Sequence, residues 1–82
     1  VGGLVIGKKI KSLRTQKKLR QYEVAELMGV TQKSICAIEA KDDLHIATLN
    51  NYLKALGGQL KITAEFPEEG VSYDMTRYIK AD

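Results

Sequence analysis

The sequence predicts a mainly α domain, a bundle of four short helices followed by a single β-strand. Three observations carry that prediction. Apolar residues recur every third or fourth position in four stretches, about residues 4–17, 21–28, 32–39 and 46–56, the spacing that lines one face of a helix. Gly29 and the pair Gly57-Gly58 stand where two of those stretches stop, and glycine is the residue best suited to the left-handed turn that ends a helix. From Gln59 to Phe66 the period changes to two: Leu60, Ile62, Ala64 and Phe66 alternate with Gln59, Lys61, Thr63 and Glu65, the pattern of a half-buried strand.

In the first helix Ile6, Ile10 and Leu13 fall on one face, with Leu4 or Val5 beside them and the lysines mostly elsewhere. Gly7 costs about 1 kcal/mol relative to alanine inside a helix, which points to close approach of another helix. Lys18-Leu19-Arg20 is the connection. An arginine side chain accepts no hydrogen bond, so the second helix is expected to start without a side-chain cap at Arg20. That helix offers Val24, Ala25 and Leu27 or Met28 as its apolar side, and ends at Gly29.

Thr31 is placed to cap the third helix. There Ile35 and Ile38 define the core side, about 60° apart at about 100° per residue. Lys33, Cys36, Ala37 and Ala40 lie opposite, with Gln32 at the margin. Residues 40–45 form a loop, and Ala40 makes an imperfect C-cap. The fourth helix carries Ile46, Leu49, Leu53 and Leu56 on one stripe, widened by Tyr52. Pro67-Glu68-Glu69-Gly70 is a turn. Beyond it Val71, Tyr73 and Met75 alternate, while Tyr78 and Ile79 break the pattern, so a returning strand and an irregular tail both remain open.

A helix, a glycine-containing turn and a second helix, as in Gln21–Glu39, make a helix-turn-helix unit. The string QYEVAELMGVTQKSICAIE resembles the corresponding segment of the lambda-repressor-like (Cro/Xre) DNA-binding domains at Gln21, Ala25, Gly29, Val30, Thr31, Gln32, Ile35, Ile38 and Glu39. The resemblance reaches back to Ile6–Arg14 and forward to Thr48-Leu49 and Ala55-Leu56-Gly57. Taken together, in this order and spacing, these positions are a specific signal. The continuation DDLHIATLNNYLKALGGQLKITAEFPEEG resembles a narrower group, the HigA-type and HipB-type antitoxins of toxin–antitoxin modules.

The 82 residues suit one domain near the lower size limit for an unaided core, and one Phe and no Trp leave that core to Ile, Leu, Val and Ala. Dimerisation commonly supplements such a core. A single cysteine excludes an internal disulfide and suits a reducing, cytoplasmic setting. No apolar run reaches the roughly 20 residues that span a bilayer, and VGGLVIG is too short and glycine-rich for a signal peptide. Val1 in place of Met suggests a trimmed start. The net charge of +3 is unevenly spread: Lys8, Lys9, Lys11, Arg14, Lys17, Lys18 and Arg20 all precede the first acid, Glu23. Beside a helix-turn-helix, that basic front favours a phosphate backbone over a merely solvated face.

The N-terminal residues of a recognition helix are those that reach base edges. Gln32, which can bond adenine N6 and N7, and Lys33, which can bond guanine O6 and N7, are therefore the expected readers. The resemblance implies that Gln21 braces Gln32 and touches a phosphate, and that Ala37 sits near a base. Thr31 and Cys36 complete the expected DNA-facing set, and Lys41 could meet a phosphate, whereas Asp42 and Asp43 could not. A reactive thiol needs an activating neighbour, and only Lys33 offers one, so Cys36 reads as a small residue that fits rather than as a redox sensor. His45, with no second histidine, reads as a surface or capping residue and not as a metal ligand.

No Ser/His/Asp set, catalytic carboxylate pair or phosphate-cradling glycine loop is present, so neither an enzyme nor a cofactor site is expected. Residues 1–58 would form the helix-turn-helix part and 59–82 a strand and tail within the same domain. A lone strand needs a partner for its backbone groups. Pairing with its twin across a two-fold axis is the favoured expectation, as the HipB-type resemblance implies; a hairpin with Val71–Met75, or insertion into a toxin's sheet, stays open. Leu60, Ile62 and Phe66 would make the dimer or partner contact. The leading expectation is a homodimeric repressor of double-stranded operator DNA, an antitoxin that represses its own operon. The rivals are a toxin-neutralising interaction module and a stand-alone regulator.

Overall fold

The computed structural model describes residues 6–78. Four helices, α1 (Ile6–Gln16), α2 (Gln21–Met28), α3 (Gln32–Glu39) and α4 (Ile46–Ala55), precede a two-stranded antiparallel sheet of β1 (Thr63–Phe66) and β2 (Val71–Asp74) and a short 3-10 turn, Thr76–Tyr78. Leu4 and Val5, expected in the first helix, and Ile79, expected to break the tail's pattern, lie outside the described residues.

The helices stop where local chemistry stops them. After α2, Gly29 adopts φ 70°, Val30 N–H donates to the Ala25 carbonyl at 2.9 Å and Gly29 N–H to that of Glu26 at 3.2 Å. These paired bonds satisfy carbonyls that the last turn leaves free. Gly57 and Gly58 close α4 in the same way, onto Lys54 and Leu53. So does α1, with Lys18 at φ 59° in the glycine place and Leu19 N–H reaching back to Arg14. At the start of α2, Arg20 supplies no side-chain acceptor, as its chemistry requires. The Glu23 carboxylate instead takes the Arg20 N–H at 2.9 Å, the reciprocal half of a capping box.

The bundle closes over Ile10, Val24, Ala25, Ile35, Tyr52 and Leu56, with Leu13, Leu19, Met28, Ile38, Leu49 and Leu53 packed around them. Tyr52, expected only to widen the α4 stripe, is fully buried at its centre. Ile46, expected in the stripe, is 52% exposed, because it opens the helix with its side chain beyond the neighbouring elements; of the Leu27/Met28 pair, Met28 turns inward and Leu27 outward.

Gly7 bears out the close approach read from its cost. A Cβ there would collide with the backbone carbonyls of Glu39 and Lys41. The first amides of α1 use that proximity: Gly7 N–H donates to Lys41 O at 3.1 Å and Ile6 N–H to Asp42 O at 3.4 Å. This explains how α3 ends without a left-handed cap, since Ala40 stays right-handed at φ −91° and the carbonyls just beyond it are taken by α1.

The strand is shorter than 59–66 and has a partner in its own chain. The Pro67–Gly70 turn folds Val71 back opposite Phe66, and the register runs Thr63↔Asp74, Ala64↔Tyr73, Glu65↔Ser72, Phe66↔Val71. The hairpin alternative is therefore the one realised, because four turn residues suffice to bring the second run of alternating residues alongside the first. Residues 58–62 run extended without a ladder, and Leu60 N–H reaches the Asn50 side chain at 3.4 Å. Residues opposite each other in an antiparallel pair share a face. One face thus carries Ala64, Phe66, Val71 and Tyr73, continued by Ile62 and Met75, whose backbones bond at 2.8 Å; the other carries Thr63, Glu65, Ser72 and Asp74. Phe66 and Tyr73 pack edge to face, 5.8 Å between centroids.

Candidate nucleic-acid interface

The second helix of the helix-turn-helix, α3, stands with one side in the core and the other outward. Ile35 is fully buried and Ile38 partly so, while Gln32, Lys33, Cys36 and Ala37 are exposed together along the outer side. Thr31 sits at the N-cap: its Oγ1 accepts the Ser34 N–H at 3.1 Å and lies 2.9 Å from the Ser34 hydroxyl. Its hydroxyl is thus committed to holding the helix start, next to Gln32 and Lys33.

Gln21, half-buried at the start of α2, reaches across the turn. Gln32 Nε2 donates to its Oε1 at 3.4 Å. The bracing pair that the resemblance implied is therefore present in the free chain. Lys41 is exposed beyond the far end of α3, beside the start of α1, and does not join the cluster around Gln32. Leu60 and Ile62 are half-buried, whereas Phe66 is exposed on the apolar face of the hairpin.

Beneath the outward side of α3 lies a polar cluster that the sequence reading passed over. Glu39, the last residue of α3, is buried. Its Oε2 accepts Arg14 Nε at 2.7 Å and the Tyr52 hydroxyl at 2.6 Å; its Oε1 accepts Arg14 Nη2 and Gln21 Nε2, each at 3.1 Å. Arg14 also donates Nη1 to the Leu19 carbonyl at 2.8 Å, tying down the α1–α2 connection. Burial alone pushes the Glu39 carboxyl up, but hydrogen bonds from Arg14, Tyr52 and Gln21, with the Arg14 charge, outweigh it and hold the group below its ordinary range. Burial first, then the bond to Glu39, drives the Tyr52 phenol far above its ordinary value, so it remains a donor.

Arg14 consequently leaves the set of cations available to a phosphate backbone. The guanidinium is buried and spent on Glu39 and Leu19, while Lys8, Lys9, Lys11, Lys17, Lys18 and Arg20 stay exposed. Periodicity held the signal for the buried pair. Arg14 lies four residues after Ile10, and Glu39 four after Ile35, so each shares the apolar face of its helix. Cys36 is a free, exposed thiol.

An outward helix start carrying Gln32 and Lys33, a turn closed by Gly29 and a bracing glutamine on the preceding helix define a helix-turn-helix reading head. The chain belongs to the helix-turn-helix family, whose pattern its residues 10–62 match. Within that family it is similar to HigA antitoxins: 48% identical over 54 residues to the putative antitoxin HigA3 of Mycobacterium tuberculosis (strain ATCC 25618 / H37Rv), and 35% identical over 63 residues to the putative antitoxin HigA2 of the same strain. The first match covers 63% of this chain and 50% of HigA3, the second 74% of this chain and 62% of HigA2, so the chain spans about half to three-fifths of these relatives.

Two solved structures are similar over most of both chains. One, described as induced DNA bending by unique dimerization of HigA antitoxin, has a TM-score of 0.71 at 37% identity, covering 82% of this chain and 90% of that one. The other, DNA-bound antitoxin HigA3, has a TM-score of 0.70 at 35% identity, covering 93% and 94%.

Proposed function

We propose that the protein is a dimeric, sequence-specific DNA-binding repressor, acting as the antitoxin of a toxin–antitoxin module and repressing its own operon. One observation carries the reading: Gln32 and Lys33 stand exposed at the start of a helix whose opposite side is locked into the core, with Gln21 already braced against Gln32. That geometry is what base readout in the major groove requires. The HigA relatives, one of them solved bound to DNA, support it.

In this reading α3 enters the groove and the exposed lysines of α1, with Lys41, hold phosphates and set the salt dependence. Thr31 positions the helix start, Cys36 and Ala37 lie against the groove wall, and the hairpin with Leu60, Ile62 and Phe66 makes the dimer. Residues 1–58 read DNA and residues 59–82 join copies. The role needs no catalysis and no cofactor, and is carried out in the cytoplasm, where the DNA lies.

A second reading rests on the hairpin itself. Its apolar face is uncovered in the single chain, and a toxin could cover it as well as a second copy could.

The test separates reading from holding. Q32A and K33A should each cost about 1–3 kcal/mol on the preferred site and little on random duplex. K41A should weaken both alike and flatten the salt slope. Titrations in which Q32A loses equally on both DNAs would remove α3 from the reading role.

A further inference from the structure

We propose that the buried Glu39 carboxylate sets which way round the side-chain amide of Gln32 faces, and so makes Gln32 an adenine reader; Glu39 is in this sense a positioning residue for base specificity. The inference rests on the DNA-reading assignment of α3 and deepens it.

The argument is one of donor and acceptor counting along a chain of three side chains. An ionised carboxylate only accepts, with room for about four hydrogen bonds. Glu39 receives four: Arg14 Nε and the Tyr52 hydroxyl on Oε2, Arg14 Nη2 and Gln21 Nε2 on Oε1. Its position is fixed by the ion pair with Arg14, and both side chains are nearly excluded from water. Gln21 must therefore turn its NH₂ inward. The reverse orientation would set an amide oxygen against a charged oxygen at about the same 3.1 Å separation. With its NH₂ committed, Gln21 can present only Oε1 to the outside.

The next side chain answers in kind. Gln32 can approach that Oε1 only with its own NH₂, and it does so at 3.4 Å. One Nε2 hydrogen and Oε1 are then left, side by side, for the groove. A neighbouring donor and acceptor in one plane match the N7 acceptor and N6 donor of adenine. Guanine presents two acceptors, N7 and O6, and meets the Gln32 oxygen with repulsion. The order is thus carried from a buried charge to an exposed amide without a bond from Glu39 to DNA.

The arrangement predicts what E39Q does. An amide at position 39 must offer its oxygen to Arg14, which only donates, so its NH₂ is left to face Gln21. Gln21 then turns its oxygen inward and its NH₂ out, Gln32 turns likewise, and the groove is offered two N–H donors. Two donors suit the two acceptors of guanine.

The experiment selects binding sites from a random-sequence duplex pool with the full chain, its Q32A, E39Q and Q21L variants, and the E39Q/Q32A pair. Circular dichroism confirms that each is folded at the selection temperature. The position whose preference vanishes in Q32A is the base that Gln32 reads. There the unaltered protein should favour adenine over guanine about ten-fold or more. E39Q should abolish or reverse that ratio, and should change nothing further when combined with Q32A. Q21L, which leaves the ion pair intact but breaks the relay, should reduce the ratio toward one while random-duplex affinity changes less than about two-fold. Q21L decides the matter alone if E39Q does not hold its fold.

Adenine preference unchanged in Q21L, or in folded E39Q, overturns the proposal while leaving α3 as the reader. A Q32A variant that alters no position overturns it by removing the reader. An unaltered protein that selects no sequence overturns the DNA-reading assignment, and this inference with it.

Discussion

At the scale of single residues, Glu39 and Arg14 matter most to stability. Removing one member of a buried pair leaves the other charged and unpartnered, at a cost of about 3–5 kcal/mol, against a total near 5–15 kcal/mol for a domain. Urea unfolding of Glu39→Ala should show a loss of that size, and the apolar replacement Arg14→Met with Glu39→Leu should cost less than either single change. The pair also leaves a pH signature. The folded Glu39 carboxyl lies below its ordinary value of 4.5, so as the pH falls the unfolded chain takes up that proton first. The stabilisation is fully present above about 4.5 and is lost as the pH falls toward the lowered folded value. Urea midpoints between pH 7 and 3 should move in favour of the Met/Leu variant below about 4.5; a constant difference would show that Glu39 does not carry the effect. Both residues sat on the predicted apolar faces of their helices, four positions from Ile10 and Ile35. They were misread because a charge is taken to be solvated unless its partner is known, and a partner 25 positions away leaves no local trace.

At the scale of elements, most boundaries were legible because they are made locally. The Thr31 cap, the Gly29 and Gly57 stops, the Pro67–Gly70 turn and the alternation of Leu60, Ile62 and Ala64 are features of neighbouring residues, and the structure keeps them. What escaped the sequence was decided between elements: the shortened strand, the burial of Tyr52 at the centre, the exposure of Ile46. The end of α1 is a partial exception. Lys18 occupies a left-handed position that costs a non-glycine residue about 1–2 kcal/mol, so the usual glycine signal is missing there. Lys18→Gly should relieve that strain, partly offset by the freedom glycine gains in the unfolded chain, and thermal unfolding should show a net gain below about 1 kcal/mol. Gly7→Ala should go the other way. Its helix-propensity gain of about 1 kcal/mol meets a collision with two backbone carbonyls that have nowhere to move. A melting temperature unchanged or raised in Gly7→Ala would show that α1 and the end of α3 are not held at this distance.

At the scale of the whole molecule, the helical bundle is covered and the hairpin is not. The chain extends 45 Å along its longest axis, and Phe66, Val71, Tyr73 and Met75 are all exposed on one face of a two-stranded sheet. Such a sheet is marginal alone and needs a covering surface. In the proposed dimer that surface is the twin hairpin, and the two α3 helices should stand about 34 Å apart, one turn of B-DNA. Sedimentation of the full chain should give a dimer at micromolar concentration, and truncation after Gly58 a monomer with much weaker binding to the preferred site, since one half-site alone holds poorly. A truncated chain that stays dimeric would free the hairpin for a different partner and favour the toxin-covering role. The seam at Gly7 has a consequence of another kind. The union of α1 with the end of α3 is made by main-chain amides and carbonyls and by the absence of one side chain, none of which depends on what α3 displays outward. Gln32, Lys33, Cys36 and Ala37 can therefore be exchanged wholesale without unseating the helix, and a duplicated copy could drift to a new binding site while inheriting the same mounting.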